Sequence, residues 1–189
     1  PNPVTSSEDF FGRKIERARV ERTLLSAAAS GKRQPVVILG ERRVGKTSLQ
    51  NVTLQSLQEQ APGQIIPLVI GPLGIHRAAD FAHAILRSLA AVNETNLPSL
   101  PGDANLAQPT LFDELFSHLS SSLPTITYLV CVDEVEEIVR TVGGEESLRI
   151  DALIHHLSGE SSLPVNLFFT MTSLPPLVSY SIPTPFTSM

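Results

Sequence analysis

Residues 40–47 read Gly40-Glu41-Arg42-Arg43-Val44-Gly45-Lys46-Thr47, a G-x-x-x-x-G-K-[ST] spacing. The run just before it, residues 35–40 (PVVILG), is apolar, rich in β-branched residues and too short for a helix. It reads as a buried strand. The stretch from Thr47 to Gln60 reads as a helix, opening near Lys46 and stopping before Pro62-Gly63. A strand, a glycine-bounded loop and a helix in that order form a cradle for a phosphate. Glycines at both ends permit the turns, successive backbone N–H groups face inward, and the helix aims its positive end at the same point. Lys46 adds a cation for β- and γ-phosphates, and the Thr47 hydroxyl is a ligand for Mg²⁺. The plain alternative is a strand-to-helix turn carrying an accidental lysine. The strand directly before and the helix directly after weigh against it.

The rest of the chain repeats the alternation. Residues 13–30 read as a helix with Ile15, Ala18, Leu24, Leu25 and Ala28 on one face and Gly31 as its C-cap. Residues 64–70 (QIIPLVI) read as a second buried strand, and Pro67 assigns it to an edge because proline cannot donate to a ladder. Residues 78–92 carry the helical period, and 93–109, with three prolines, read as a loop. Residues 110–122 read as a short helix with Thr110 as N-cap, and 126–132 (ITYLVCV) as the third strand. A helix over about 145–158 follows the Gly143-Gly144 break, and 165–172 (VNLFFTMT) read as the fourth strand. Strands apolar throughout and separated by helices predict an α/β fold: a mainly parallel sheet with helices on both faces.

The third strand ends Val130-Cys131-Val132-Asp133-Glu134. In open α/β sheets ligands bind beyond the carboxyl ends of the strands, which places Asp133 beside the loop of Lys46. Four apolar residues followed by two carboxylates form the Walker B pattern. The first acid can support Mg²⁺, and the second can accept a proton from an attacking water or orient it. The bland reading is an acidic turn continued by Glu136 and Glu137, which themselves read as solvated helix charges. Cys131, mid-strand, reads as core, and His155-His156 as a surface pair. His76, His83 and His118 read as structural.

The 189 residues are enough for one core, with a lead-in over 1–9, the domain over 10–175 and an irregular tail over 176–189. A start without methionine makes a piece of a longer chain the expectation. One cysteine excludes an internal disulfide framework and fits a reducing compartment, hence a cytoplasmic expectation. No apolar run reaches membrane-spanning length, no h-region is visible, and five scattered histidines give no zinc-ligand spacing. The net charge of −5 is unevenly spread: residues 1–50 hold 10 Lys/Arg against 5 Asp/Glu, and residues 51–189 hold 4 against 14. The basic first quarter suits a phosphate-binding region. It reads otherwise as a solvated helix face or, less favoured, a nucleic-acid patch.

Taken together, Phe11-Gly12-Arg13 followed by Glu16, the loop ERRVGKTS, the segment LVCVDEVEEIV and the strand LFFTMTS resemble the nucleotide-binding module of AAA-type and STAND-type ATPases. The likeness covers roughly residues 10–175. It implies a P-loop NTPase sheet of order (5)-1-4-3-2, with ATP and Mg²⁺ as ligands. It further implies Phe11, Gly12 and Arg13 near the adenine, and residues Gly40, Glu41, Arg42, Arg43, Val44 and Gly45 around the phosphates. Lys46 and Thr47 would bind phosphate and magnesium, with Ser48 near the α-phosphate. Asp133 would support the metal and Glu134 would be the catalytic base. A polar residue ending the fourth strand would reach the γ-phosphate: Thr172, with Ser173 second. The pattern departs from the family in places. There is no arginine at that sensor position and no polar switch residue at Ile70-Gly71. A fifth strand and a lid have no clear counterpart, although residues 177–182 (LVSYSI) could shield the edge beside 35–40. No arginine finger can be assigned, and Arg140 and Arg149 read as surface arginines. The absence of an NKxD motif favours ATP over GTP.

Four functions stay open at this level. They are Mg²⁺-dependent ATP hydrolysis, a slow ATP/ADP switch, a nucleic-acid loader of the origin-recognition type, and a small-molecule kinase. The kinase lacks an arginine-rich lid, and the loader gains nothing from the net charge. Partners expected beyond ATP and ADP are further domains of the same chain, other proteins or a second copy, with no membrane.

Overall fold

A computed structural model describes residues 13–98, 105–120 and 126–172. The chain runs α1 (Lys14–Ser30), β1 (Val36–Leu39), α2 (Lys46–Gln60), β2 (Ile65–Ile70), α3 (Ala78–Val92), α4 (Pro109–Leu119), β3 (Thr127–Val132), α5 (Val135–Val142), α6 (Gly144–His155) and β4 (Val165–Met171). A single π-helical turn, His156–Glu160, extends α6. The four strands form one all-parallel sheet in the order β1-β4-β3-β2, the order expected without its fifth member. Among the described residues β1 is therefore an edge, and β2 is the other. Pro67 sits on the β2 edge, opposite Leu129. The segment 177–182 lies outside the described residues, as do Phe11, Gly12 and Ser173.

Alternation along each strand sends neighbouring side chains to opposite faces, and each face has its own core. On one, Tyr128, Val130, Val132, Leu167 and Phe169 pack under α3, α4 and α6 through Phe81, Ile85, Phe112, Phe116 and Leu153. On the other, Val36, Ile38, Leu129, Cys131 and Phe168 meet Val20 and Leu24 of α1 with Leu49 and Leu57 of α2. β4 is buried at all seven positions, as a central strand covered on both faces requires. Cys131 is core, as expected, and burial pushes its thiol pKa up.

The helical boundaries need three corrections. α4 opens at Pro109 with Gln108 as N-cap, because proline at the first helical position gives up an N–H that would be unpaired there anyway. Thr110 is thus inside the helix. The expected single helix after β3 is two, α5 and α6, hinged at Gly143 (φ 61°) and Gly144 (φ 50°). His156 is also not a surface residue. Its Nε2 lies 3.0 Å from both carboxylate oxygens of Asp113, with 13% of its side chain exposed, and Ser161 Oγ donates to the same carboxylate at 3.1 Å. This pairing ties α4 to the π-helical turn. Exposed His155 lies 3.6 Å from Glu160.

The aromatic stack under α4 anchors that layer. Phe116 meets Tyr128 edge-on at 5.5 Å, and the Tyr128 hydroxyl accepts from Asn93 Nδ2 at 3.0 Å. The same Asn93 nitrogen donates to the Leu119 carbonyl at 2.9 Å, closing α3 onto the end of α4. Phe116→Ala is expected to lower unfolding free energy by about 3–5 kcal/mol, the usual range for a fully buried phenylalanine. Tyr128→Phe should cost about 1 kcal/mol for the lost hydroxyl contact. Urea titration of the two variants checks both values.

Candidate nucleotide site

The parallel order brings the carboxyl ends of β1, β3 and β4 side by side, and each runs directly into a polar segment. Gly40 follows β1, Asp133 follows β3, and Thr172 follows β4. The Gly40 amide donates to the Met171 carbonyl at 3.3 Å, so the loop starts anchored to the end of β4. The loop then folds over its first glycine. A Cβ on Gly40 would stand 3.1 Å from Val44 Cγ2 and 3.8 Å from Lys46 Cδ. Arg43 (φ 65°) and Gly45 (φ 87°) take the left-handed backbone that lets the loop turn into α2. The first amides of α2 have no intrahelical acceptor and point into this concavity.

Lys46 is almost fully buried at 7% exposure, and its Nζ donates to the carbonyls of Gly40 (2.8 Å) and Glu41 (2.9 Å). The ammonium thus closes the loop on itself and stands where a phosphate oxygen would be offered to it. Thr47, next along α2, donates its hydroxyl to Asp133 Oδ2 at 2.8 Å. Ser48 is buried in the same first turn, while Glu41, Arg42 and Arg43 are exposed around the mouth. The sequence-derived pair Thr47 and Asp133 therefore meets across 86 residues. Mg²⁺ typically takes one or two carboxylates, a hydroxyl and waters together with substrate phosphates, and this donor set fits it.

Asp133 has a second partner that the sequence reading missed. Thr170 Oγ1, with no exposure at all, donates to Asp133 Oδ1. The same hydroxyl accepts from the Glu134 amide at 3.3 Å. A threonine inside an apolar strand was the available signal, because a buried hydroxyl needs a partner. Thr172, the expected γ-phosphate reader, follows β4 and is bound to an acid of α5. Its N–H and hydroxyl both donate to Glu136 Oε1, at 2.9 and 2.6 Å. Glu136 is consequently not a free solvated charge, and its Oε2 is buried without a hydrogen-bond partner among the described residues.

Glu134 lies exposed at the start of α5 in the left-handed region (φ 52°, ψ 50°). It faces a cleft shared with Arg42, Arg43, Glu137 and Arg140. Arg140 donates to Glu137, and Arg42 approaches the same carboxylate at 3.9 Å. Hydrogen bonding from Arg140, reinforced by the charge of Arg42, holds the Glu137 carboxyl below its ordinary pKa. Arg149 pairs with Glu146 at 2.7 Å. Both candidate arginines are thus engaged with acids on their own helices. Arg13 opens α1, and its buried Nη1 has no hydrogen-bond partner among the described residues. A larger cleft, near Arg33, Thr127, Pro164 and Asn166, lies at the opposite, amino end of the strands.

No protein-family model and no curated protein sequence matches the chain. Solved structures do. The ORC2 protein of Aeropyrum pernix, in ADPNP–ADP complexes, aligns over 96% of this chain with TM-score 0.67 and 17% identity. The ORC1 protein of the same organism, in complex with DNA, aligns over 90% with TM-score 0.59 and 19% identity. The Walker-type ATPase PABY2304 of Pyrococcus abyssi aligns over 90% with TM-score 0.55 and 18% identity. The chain spans 48%, 43% and 48% of those three proteins, respectively. The shared property is the fold, that of P-loop ATPases of the AAA+ type.

The left-handed backbone at Glu134 generates a prediction. A β-carbon with a long side chain is disfavoured there, whereas asparagine tolerates the region. Glu134→Asn should raise unfolding free energy by roughly 0.5–1 kcal/mol, the scale seen when a residue suits its native dihedrals. A urea midpoint below wild type would mean instead that the glutamate side chain holds the turn.

Proposed function

We propose that this chain is the ATP-binding, Mg²⁺-dependent ATP-hydrolysing module of a regulatory ATPase of the AAA/STAND type. The observation that carries this reading is the convergence of Lys46, Thr47 and Asp133 beyond the carboxyl ends of β1 and β3, two parallel strands that flank β4. The AAA+ fold of the solved neighbours supports it.

In this reading Lys46 exchanges the carbonyls of Gly40 and Glu41 for β- and γ-phosphate oxygens. Residues 40–45 would supply backbone amides, Ser48 would serve the α-phosphate, and Arg13 would border the adenine. Thr47 and Asp133 hold Mg²⁺, which neutralises charge on the phosphates. Glu134 sits beyond Asp133 on the exposed rim, where it can take a proton as water oxygen bonds to the γ-phosphorus. The bond to the β–γ bridging oxygen breaks, and ADP and phosphate leave. Thr170 holds Asp133 and the Glu134 amide in place. Thr172 lies one turn of chain further along, beside α5.

A slow switch is the second reading, and one observation favours it. Thr47 and Thr170 donate to Asp133, and Lys46 donates to the carbonyls of Gly40 and Glu41, so loading would break these hydrogen bonds and unloading would restore them. Such a site has two self-consistent states. Further domains of the same chain, protein partners or a second copy would be what the states act upon, in a cytoplasmic setting. DNA is the partner of one neighbour, and the feature here that suits it is the basic first quarter.

Lys46→Ala should weaken a fluorescent ATP analogue by about 1.5–3 kcal/mol, the worth of a charge-assisted hydrogen bond. Equal affinities would sink the assignment. Glu134→Gln should keep ATP binding and slow single-turnover hydrolysis by on the order of 10²-fold or more. A wild-type rate in that variant would move the general-base role to another group. Asp133→Asn should raise the Mg²⁺ concentration required for half-maximal turnover.

A further inference from the structure

We infer that Glu136 is a positioning residue for γ-phosphate chemistry, fixing the end of β4 relative to the phosphate loop; the inference rests on the ATPase reading above. The sequence offers Glu136 as one more acid on a charged helix. The structure separates it from its neighbour. Glu137 turns outward to Arg140 and Arg42, whereas Glu136 turns inward and takes two donors from one residue, Thr172 N (2.9 Å) and Oγ1 (2.6 Å). Its other oxygen, Oε2, is buried with no hydrogen-bond partner among the described residues. Leaving a carboxylate oxygen unpaired is costly, so a side chain free to turn toward water would do so. The paired oxygen holds it in.

That grip falls at a junction. Thr170 lies on β4 and Thr172 directly after its end, two residues on, while Asp133 and Glu136 are three apart beyond β3. Thr170 binds Asp133 and Thr172 binds Glu136, so the strand end is held at two acids. Between the threonines, the Met171 carbonyl accepts from the Gly40 amide, the first residue of the loop. Glu136 therefore fixes the residue directly after the one that anchors the phosphate loop. Losing it would release Thr172 while leaving Lys46, Thr47 and Asp133 in place. The affected quantity is the response to the third phosphate, not nucleotide binding as such.

The test uses the full chain with Mg²⁺, ADP and a non-hydrolysable ATP analogue, together with single-turnover hydrolysis of ATP. Glu136→Ala is expected to keep ADP affinity within about twofold while the preference for the analogue over ADP falls by roughly tenfold, about one lost net hydrogen bond. Hydrolysis, where wild type turns over, should slow at least as much. Thr172→Val keeps the N–H donor and should shift both readouts in the same direction by less. Glu136→Gln retains an oxygen acceptor and should restore most of the preference. If Glu136→Ala does not fold, Thr172→Val decides. A purely structural role would lower Tm and weaken both nucleotides alike, and that result overturns the inference. So does an unchanged preference and rate, and if Lys46→Ala still weakens binding, the nucleotide-site reading survives. Loss of effect in Lys46→Ala as well would overturn both.

Discussion

The carboxylate of Asp133 is the point on which the site depends. It ends β3 and accepts hydroxyls from two other elements, Thr47 of α2 and Thr170 of β4. Neither contact is local in sequence, and each requires the strand order β1-β4-β3-β2. β4 must lie against β3 for Thr170 to reach across, and β1 must lie against β4 for the loop to deliver Thr47. A partly buried carboxylate without donors would carry a desolvation penalty. Two hydroxyls offset it and leave lone pairs facing the concavity. The same logic governs Lys46, whose buried ammonium is satisfied by two carbonyls of its own loop. The polar groups of the site are thus hydrogen-bonded to one another or to their own loop. On the reading proposed above, binding would be an exchange of these hydrogen bonds for those of the ligand.

What the sequence made legible follows from how local each signal is. The phosphate loop is eight contiguous residues whose spacing has one mechanical purpose, and the structure shows the turn, the anchored glycine and the helix start. The strands were legible because a sheet covered on both faces needs uninterrupted apolar runs. Pro67 even marked the edge strand, since its missing N–H rules out the middle of a ladder. The parts that escaped depend on pairs distant in sequence. His156 becomes half-buried because Asp113 stands 43 residues away on α4, and no pattern around His155-His156 announces that. Glu136 and Glu137 are adjacent and chemically identical, yet one turns in and the other out because Thr172 and Arg140 lie on opposite sides of α5. The break at Gly143-Gly144 was visible, and Glu136 and Glu137 read as helix charges, but the bounds of that helix were not legible: eight residues carrying three charges show little apolar face until Val135 and Ile138 are seen to be buried.

The loop and the helix after β3 also face each other electrostatically. Arg42, Arg43 and Lys46 lie on one side, and Asp133, Glu134, Glu136 and Glu137 on the other. Arg42 approaches Glu137 across the cleft, but at 3.9 Å between exposed side chains the contact contributes little and is screened by salt. Glu137 is held mainly by Arg140 on its own helix. The loop arginines are therefore available at small cost, whereas Lys46 is tied to two carbonyls at short range. This ordering suits a polyanion that arrives first at the exposed rim and is then gripped within. The arginines raise the local concentration of anions by long-range attraction, and the buried lysine supplies the short, directional bond. The acidic wall opposite repels a triphosphate unless a divalent cation lies between them. On the ATPase reading proposed above, that cation would be Mg²⁺, with Thr47 and Asp133 as the residues to hold it.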